Sequence, residues 1–145
     1  LIVGEKWEEM KKKYDSPKIK FLGNQDIRGL IEIMKQASLY CHFGRGDAFP
    51  VASLEAMALG IPCMTSSSTG VKGVVSKVNP NFVIDVDDPN DAAKAISSYL
   101  NRPVVARKRL GSKFSKEASF FNEENCVKLF KEKFVSLVKR LGDKS

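Results

Sequence analysis

With 145 residues, 43% apolar and 28% charged, the chain is the size of one ordinary globular domain with room for a real core. No apolar run approaches the ~18 to 20 residues that cross a bilayer, and one histidine with three cysteines lacking any C-x-x-C excludes a zinc or disulfide framework. The net charge of +7 is uneven: residues 1–101 carry twelve Lys+Arg against twelve Asp+Glu, and residues 102–145 carry twelve against five.

Such a basic tail admits three partners: nucleic acid, an anionic membrane, or an acidic protein face. A solvated helical surface explains it as well and is the preferred reading; nucleic acid is the least favoured partner. Cys41 and Cys63 lie in apolar runs and are expected to be reduced and buried, which points to the cytoplasm. The first residue is not Met, so the chain is expected to be a piece of a longer protein.

Leu1–Val3 is a predicted strand ending at Gly4. A helix follows, with Trp7, Met10 and Tyr14 three and four residues apart. Ile19–Leu22 is a second strand, stopped by Gly23. Ile27, Leu30, Ile31 and Met34 mark a second amphipathic helix, capped by Asp26. Ser38–Phe43 is the third strand. A Gly-rich loop, residues 44–49, leads to Pro50 as the first residue of a helix terminated by Gly60.

Ile61–Thr65 is the fourth strand, and a Ser/Thr-rich loop to Thr69 precedes Gly70 and a short helical turn. Phe82–Val86 is the fifth strand. Asp88 caps a helix that starts at Pro89 and is expected to bury Ala92, Ala93, Ile96 and Leu100. Beyond Pro103 the chain is helical, and residues 104–145 form the basic C-terminal helices. Val127, Phe130, Phe134, Leu137 and Leu141 make one stripe on the last. Strands alternating with helices predict an α/β, Rossmann-like parallel sheet with helices on both faces. Ligands bind such sheets beyond the carboxyl ends of the strands, which directs attention to the loops after Gly23, Phe43 and Thr65.

Glu55 falls inside the helix that begins at Pro50, and its neighbours three and four residues away, Val51, Ala52, Ala58 and Leu59, are all apolar. An ionised carboxylate on a buried face is costly unless paired. Two readings stand level: a rim carboxylate bonded to a loop amide, or an acceptor for ligand hydroxyls. Asp47 lies eight residues earlier, as a capping acid or a ligand group. Between them the helix start offers free amides near Val51 and Ala52, which suit a phosphate. His42 either serves the structure or lines the cleft. Arg45 meets phosphate or solvent. Asp85-Val86-Asp87 spells D-x-D, but turn and cap chemistry explains these acids, so no metal site is assigned. Gly4-Glu5-Lys6 is no dinucleotide fingerprint.

The stretch from Phe43 through Asp47-Ala48-Phe49-Pro50-Val51-Ala52 to Glu55-Ala56-Met57-Ala58-Leu59-Gly60-Ile61-Pro62 resembles the signature of group 1 glycosyltransferases. In that signature two glutamates with seven residues between them precede Ala-Met-Ala-x-Gly-x-Pro. The resemblance extends over nearly the whole chain. It implies the C-terminal, donor-binding half of a two-domain GT-B fold. By this likeness the chain lacks its first strand and the N-terminal acceptor domain is a missing partner. The activity implied is retaining transfer of a hexose from a nucleotide diphosphate sugar.

Asp47 takes the place of the carboxylate at the reacting sugar and Glu55 that of the acid on the ribose hydroxyls. The helix at Pro50 faces the diphosphate, with Phe49, Thr69 and Gly70 alongside. The loop of Gly23 and Asn24 lies near the base. No cofactor is implied, and no metal, because cations and amides neutralise the leaving group. The fragment alone is expected to bind nucleotide weakly and catalyse little. The chain departs from the pattern in four places. Asp47 replaces a Glu and Pro50 a Gly. In Ser68-Thr69-Gly70-Val71-Lys72-Gly73, Thr69 replaces a Gly and Gly73 a Glu. These departures keep open a degenerate, non-catalytic partner domain. An epimerase or phosphorylase of the same fold is the other rival.

Overall fold

The structure, a computed structural model, describes residues 1–145 except Lys6, Asp15, Val86 and residues 143–145, and describes Leu141 and Gly142 by their backbone alone. Expectations at Lys6, at Val86 as a strand end and at Leu141 in the last stripe lie outside the described residues. Contacts divide the chain into two compact units, Leu1–Ala37 and Ser38–Ser145.

In the first unit β1 (Ile2–Val3) pairs in parallel with β2 (Phe21–Leu22), Ile2 opposite Phe21. Helix α1 (Glu8–Lys13) carries acids in its first turn and lysines in its last, as the helix dipole favours. Its expected stripe is not buried: Trp7, Met10 and Tyr14 are exposed. Helix α2 (Ile27–Lys35) starts as predicted, with Asp26 Oδ1 accepting from Gly29 N at 2.7 Å.

The second unit is built on three parallel strands, β3 (Tyr40–His42), β4 (Cys63–Ser66) and β5 (Val83–Ile84), in that order, with β4 central. Every residue of β4 is buried, as a strand covered on both faces requires. The alternation of parallel strands and helices is α/β and Rossmann-like. Helix α3 (Val51–Ala58) follows β3, α4 (Lys72–Val78) follows β4, and α5 (Pro89–Leu100) follows β5. Helices α6 (Val104–Ala118) and α7 (Glu123–Gly142) complete the chain. The core joins Met57 of α3, Cys63 and Met64 of β4, Val71, Val75, Phe82, Tyr99, Leu110 and Phe114. Phe82 stacks on Phe114 and meets Tyr99 edge-on.

Several expectations need correcting. Pro50 is the residue before the first turn of α3, with an extended ψ of 101°, and Val51 is the first helical residue. The turn after Gly70 is a seven-residue helix. Phe82 belongs to a 3-10 turn, Pro80–Phe82, nucleated by Asn79, and not to the strand. Helix α5 is capped by Asp88 as predicted, but Tyr99 is its anchor; Ala93 and Leu100 are exposed. Tyr99 buries its ring and donates from its hydroxyl to Ser38 O at 2.6 Å, so a polar tip hid a core residue from an apolar count. Cys41 is exposed. The stripe of α7 is exposed throughout its described length.

Gly60 ends α3 in the left-handed conformation, φ 76°, with Gly60 N bonded to Met57 O and Ile61 N to Ala56 O. This is the paired bonding of a Schellman terminus. Helix α3 packs chiefly on α6, and Gly111 is the point of closest approach. A Cβ there would stand 2.1 Å from Gly60 O. Gly111→Ala is therefore expected to destabilise the fold by about 2 kcal/mol, read as a lowered urea midpoint. Ser112→Ala, on the exposed side of the same turn, should change it by less than ~0.5 kcal/mol.

Burial pushes the Cys63 thiol up from 9.0 to about 12 and the Tyr40 phenol up from 10.0 to about 12. Both are raised in the folded state, so the stability they supply is complete below pH ~9 and is lost as pH climbs toward 12. Urea midpoints should be flat from pH 7 to 9 and fall above it. In Cys63→Ala the fall above pH 9 should be shallower, with the Cys41 thiol, raised from 9.0 to about 11, and the Tyr40 phenol supplying what remains.

Candidate functional site

The loop between β3 and α3 lies on the end of β4 and the segment after it. Thr65 Oγ1 donates to His42 O at 3.2 Å, Ser66 Oγ and Ser68 Oγ both donate to Gly44 O, the latter at 3.1 Å, and Gly70 N donates to Asp47 O at 3.0 Å. Gly70 is required here, since a Cβ would fall 1.6 Å from Ala48 O. With its carbonyls turned toward β4, the loop leaves other groups outward. The amides of Val51 and Ala52, first in α3, have no hydrogen-bond partner among the described residues. Pro50, buried, has no amide to offer.

Asp47 stands before this helix mouth. Its Oδ1 accepts from Phe49 N at 3.1 Å, an Asx turn. Its Oδ2 is 3.3 Å from His42 Nε2; the pair is within ion-pair reach but is not aligned as a hydrogen bond, and Nε2 has no other partner among the described residues. Gly44 makes room for the imidazole, because a Cβ there would meet Nε2 at 2.9 Å.

Glu55 lies one turn into α3 on its exposed face, beside Val51 and Leu59, 61% and 41% exposed. The expected cost of a carboxylate on an apolar face does not arise, because that face is wet; the buried side of α3 is Ser53, Ala56 and Met57. Glu55 has neither hydrogen bond nor salt bridge among the described residues. The two acids bear on one neighbourhood. Burial is the main cause of the raised Tyr40 pKa, and the charges of Cys63, Glu55, Cys41 and Asp47 add to it in that order.

Other predicted residues are placed differently. Thr69 is buried at 1% exposure, its hydroxyl engaged by Thr65 and Ser66, so its side chain supports the loop. Arg45 is paired with Asp87 at 3.2 Å, both side chains exposed, and Asp87 N caps onto Asp85 Oδ1. Asp85 thus closes a turn and Asp87 pairs with an arginine. Phe49 packs its ring on Phe121, centroids 5.9 Å apart.

Gly23 and Asn24 belong to the first unit, where Asn24 Nδ2 donates to Glu5 Oε1 and so ties the loop after β2 to that after β1. Sequence reasoning missed Tyr40, Phe121 and the hydroxyls of Thr65, Ser66 and Ser68. The dense Ser/Thr run was the signal for the last three. Two surface grooves, about 670 and 830 Å³, follow α7 and include neither Asp47 nor Glu55.

The family described as glycosyl transferases group 1 matches residues 1–117. An exopolysaccharide phosphotransferase of Streptomyces coelicolor is 29% identical over 99 residues, 68% of this chain and 10% of that protein. A phosphatidyl-myo-inositol mannosyltransferase of Mycolicibacterium smegmatis is 30% identical over 84 residues, 57% of this chain and 22% of that protein. The chain thus spans a tenth and about a fifth of these curated relatives. Among solved structures, the catalytic domain of a cholesterol-α-glucosyltransferase from Helicobacter pylori superposes with a TM-score of 0.68 at 22% identity, covering 79% of this chain and 74% of that one. The N-terminal domain of a Candida albicans trehalose-6-phosphate phosphatase also gives 0.68, at 20% identity, over 88% and 28%. At such identities the likeness is one of fold, the Rossmann-like domain of GT-B proteins.

Proposed function

The chain belongs to the group 1 glycosyl transferases, and from that premise we propose that it is the donor-binding half of a retaining enzyme that moves a hexose from a nucleotide diphosphate sugar to an acceptor. The observation that carries this is the start of α3: two unbonded amides, Val51 and Ala52, with one acid before them and one a turn beyond.

A diphosphate on these amides gains two donors and the positive end of the helix dipole. Glu55 is four residues past Val51, about 6 Å along the axis, a reach that suits the ribose hydroxyls. It is unpaired and wet, so it accepts hydroxyl donors without first breaking a bond. Asp47, at the opposite side of the amides, faces the sugar and its reacting carbon.

An N-terminal acceptor domain supplies the second wall and the remaining cations. With cations and amides on the leaving diphosphate, no metal is needed. The chain alone binds nucleotide weakly and transfers little. A cytoplasmic setting agrees with three free cysteines, and no helix among the described residues is long and apolar enough to cross a membrane.

One observation favours a second reading, a non-catalytic partner domain: Asp47 Oδ1 is turned back onto Phe49 N. Two measurements separate the readings. Titration of the chain with UDP-, GDP- and ADP-sugars, followed by amide chemical shifts, should move Val51, Ala52 and Gly70, and Glu55→Ala should weaken the best ligand by about tenfold, ~1.4 kcal/mol. Shifts confined to other regions would remove the donor-site reading. In the full-length protein, Asp47→Asn should lower transfer by ~100-fold or more while nucleotide affinity stays within about twofold; an unchanged transfer rate would establish the non-catalytic reading.

A further inference from the structure

Helix α7 is twenty residues long, about 30 Å, and none of its described side chains is buried. Asn122 starts it, accepting from Asn125 N at 2.9 Å. One side is apolar along its length: Val127, Phe130, Phe134, Leu137 and Val138, between 45% and 69% exposed. Phe130 and Phe134 stack with centroids 5.9 Å apart.

At 100° per residue, lysines border this face on both sides. Lys131 lies along one edge and Lys133 and Arg140 along the other, while Lys128 and Lys139 fall beside Glu132. Of the three acids, Glu132 sits on the far side, and Glu123 and Glu124 are confined to the first turn. The polar face of α6 adds exposed Lys108, Arg109, Lys113 and Lys116.

We propose that α7 is an interfacial helix that lays its Phe130–Phe134 face into an anionic lipid surface. The pattern separates this occupant from a protein partner. A helix that seats in a protein groove needs an apolar stripe; a basic border on both edges is what headgroups at the rim of a shallowly inserted helix would pair with. The helix is amphipathic and too polar overall to span, the combination that holds a helix in the interface plane. The entire surplus of positive charge lies in the last 44 residues, so the attraction is local to this end. This goes beyond sugar transfer and does not depend on it.

The test is co-sedimentation of the full chain with vesicles of phosphatidylcholine containing about 30% phosphatidylglycerol, against phosphatidylcholine alone. Partition should be at least tenfold stronger to the anionic vesicles and should fall at least tenfold between ~0.1 M and ~0.5 M salt. The double variant Phe130→Ser, Phe134→Ser should lose binding at both salt concentrations. Lys131→Glu with Lys133→Glu, which leaves the apolar face whole, should fall to the level seen with phosphatidylcholine alone. Because none of these side chains is buried, both variants should keep the parental urea midpoint; a variant that shifts it is replaced by Phe134→Ser alone. Equal binding to both vesicle types, or binding indifferent to the serine substitutions, would overturn the proposal. So would a wild-type chain that ignores vesicles but elutes as a dimer that the serine variant dissolves, which would assign the face to a second copy.

Discussion

Three backbone carbonyls, those of His42, Gly44 and Asp47, are turned onto the carboxyl end of β4 and the segment that follows it, and held there by hydroxyls and one amide. Everything at the candidate site follows from that orientation. A loop whose carbonyls are satisfied on one side presents amides and side chains on the other. It also delivers the chain to Pro50 in an extended conformation, from which α3 starts with its first two amides open. The hydroxyls are buried polar groups, which are costly unless paired. Thr65, Ser66 and Thr69 are paired among themselves and with the loop, so the network is satisfied. Removing one partner would strand another.

The direction of α3 is fixed at both ends. The loop sets its start. At its other end Gly60 closes the helix on itself, and its carbonyl lies against Gly111 of α6. Between these points the helix divides cleanly into a buried side, Ser53, Ala56 and Met57, and a wet side that carries Glu55. The wet position makes Glu55 dispensable for folding. A carboxylate with no partner and no desolvation cost contributes little to stability. Its place in the helix is explained by what it could accept from outside.

Features set by local chemistry were legible in the sequence: the caps Asp26 and Asp88, the terminator Gly60, and the order of strands and helices. The acid–amide–acid arrangement was legible too, because strand, loop and helix follow one another in 20 residues and their spacing alone brings the groups together. Long-range consequences were not legible. The burial of Thr69 comes from its contacts with Thr65 and Ser66 in the folded loop. Arg45 finds Asp87 from 42 residues away. Tyr99 anchors α5 through a ring that an apolar count overlooks. The stripe of α7 shows the limit of periodicity, which identifies an apolar face but not what, if anything, covers it.

The departures from the family pattern gain a physical reading when taken together. An aspartate at position 47 has the reach to close an Asx turn on Phe49 N, which a side chain one methylene longer would overshoot. Closing that turn leaves Oδ2 toward His42. The imidazole can occupy that place because residue 44 is a glycine; any side chain there would press on Nε2. Pro50, with φ held near −65°, suits the extended step from this turn into α3, and its missing amide removes a donor from a position that the structure buries. Asp47, Gly44, His42 and Pro50 therefore form one mutually consistent loop. Restoring the family residue at Asp47 or at Pro50 would disturb His42, Gly44 and the other departure, so these two positions have to be tested together.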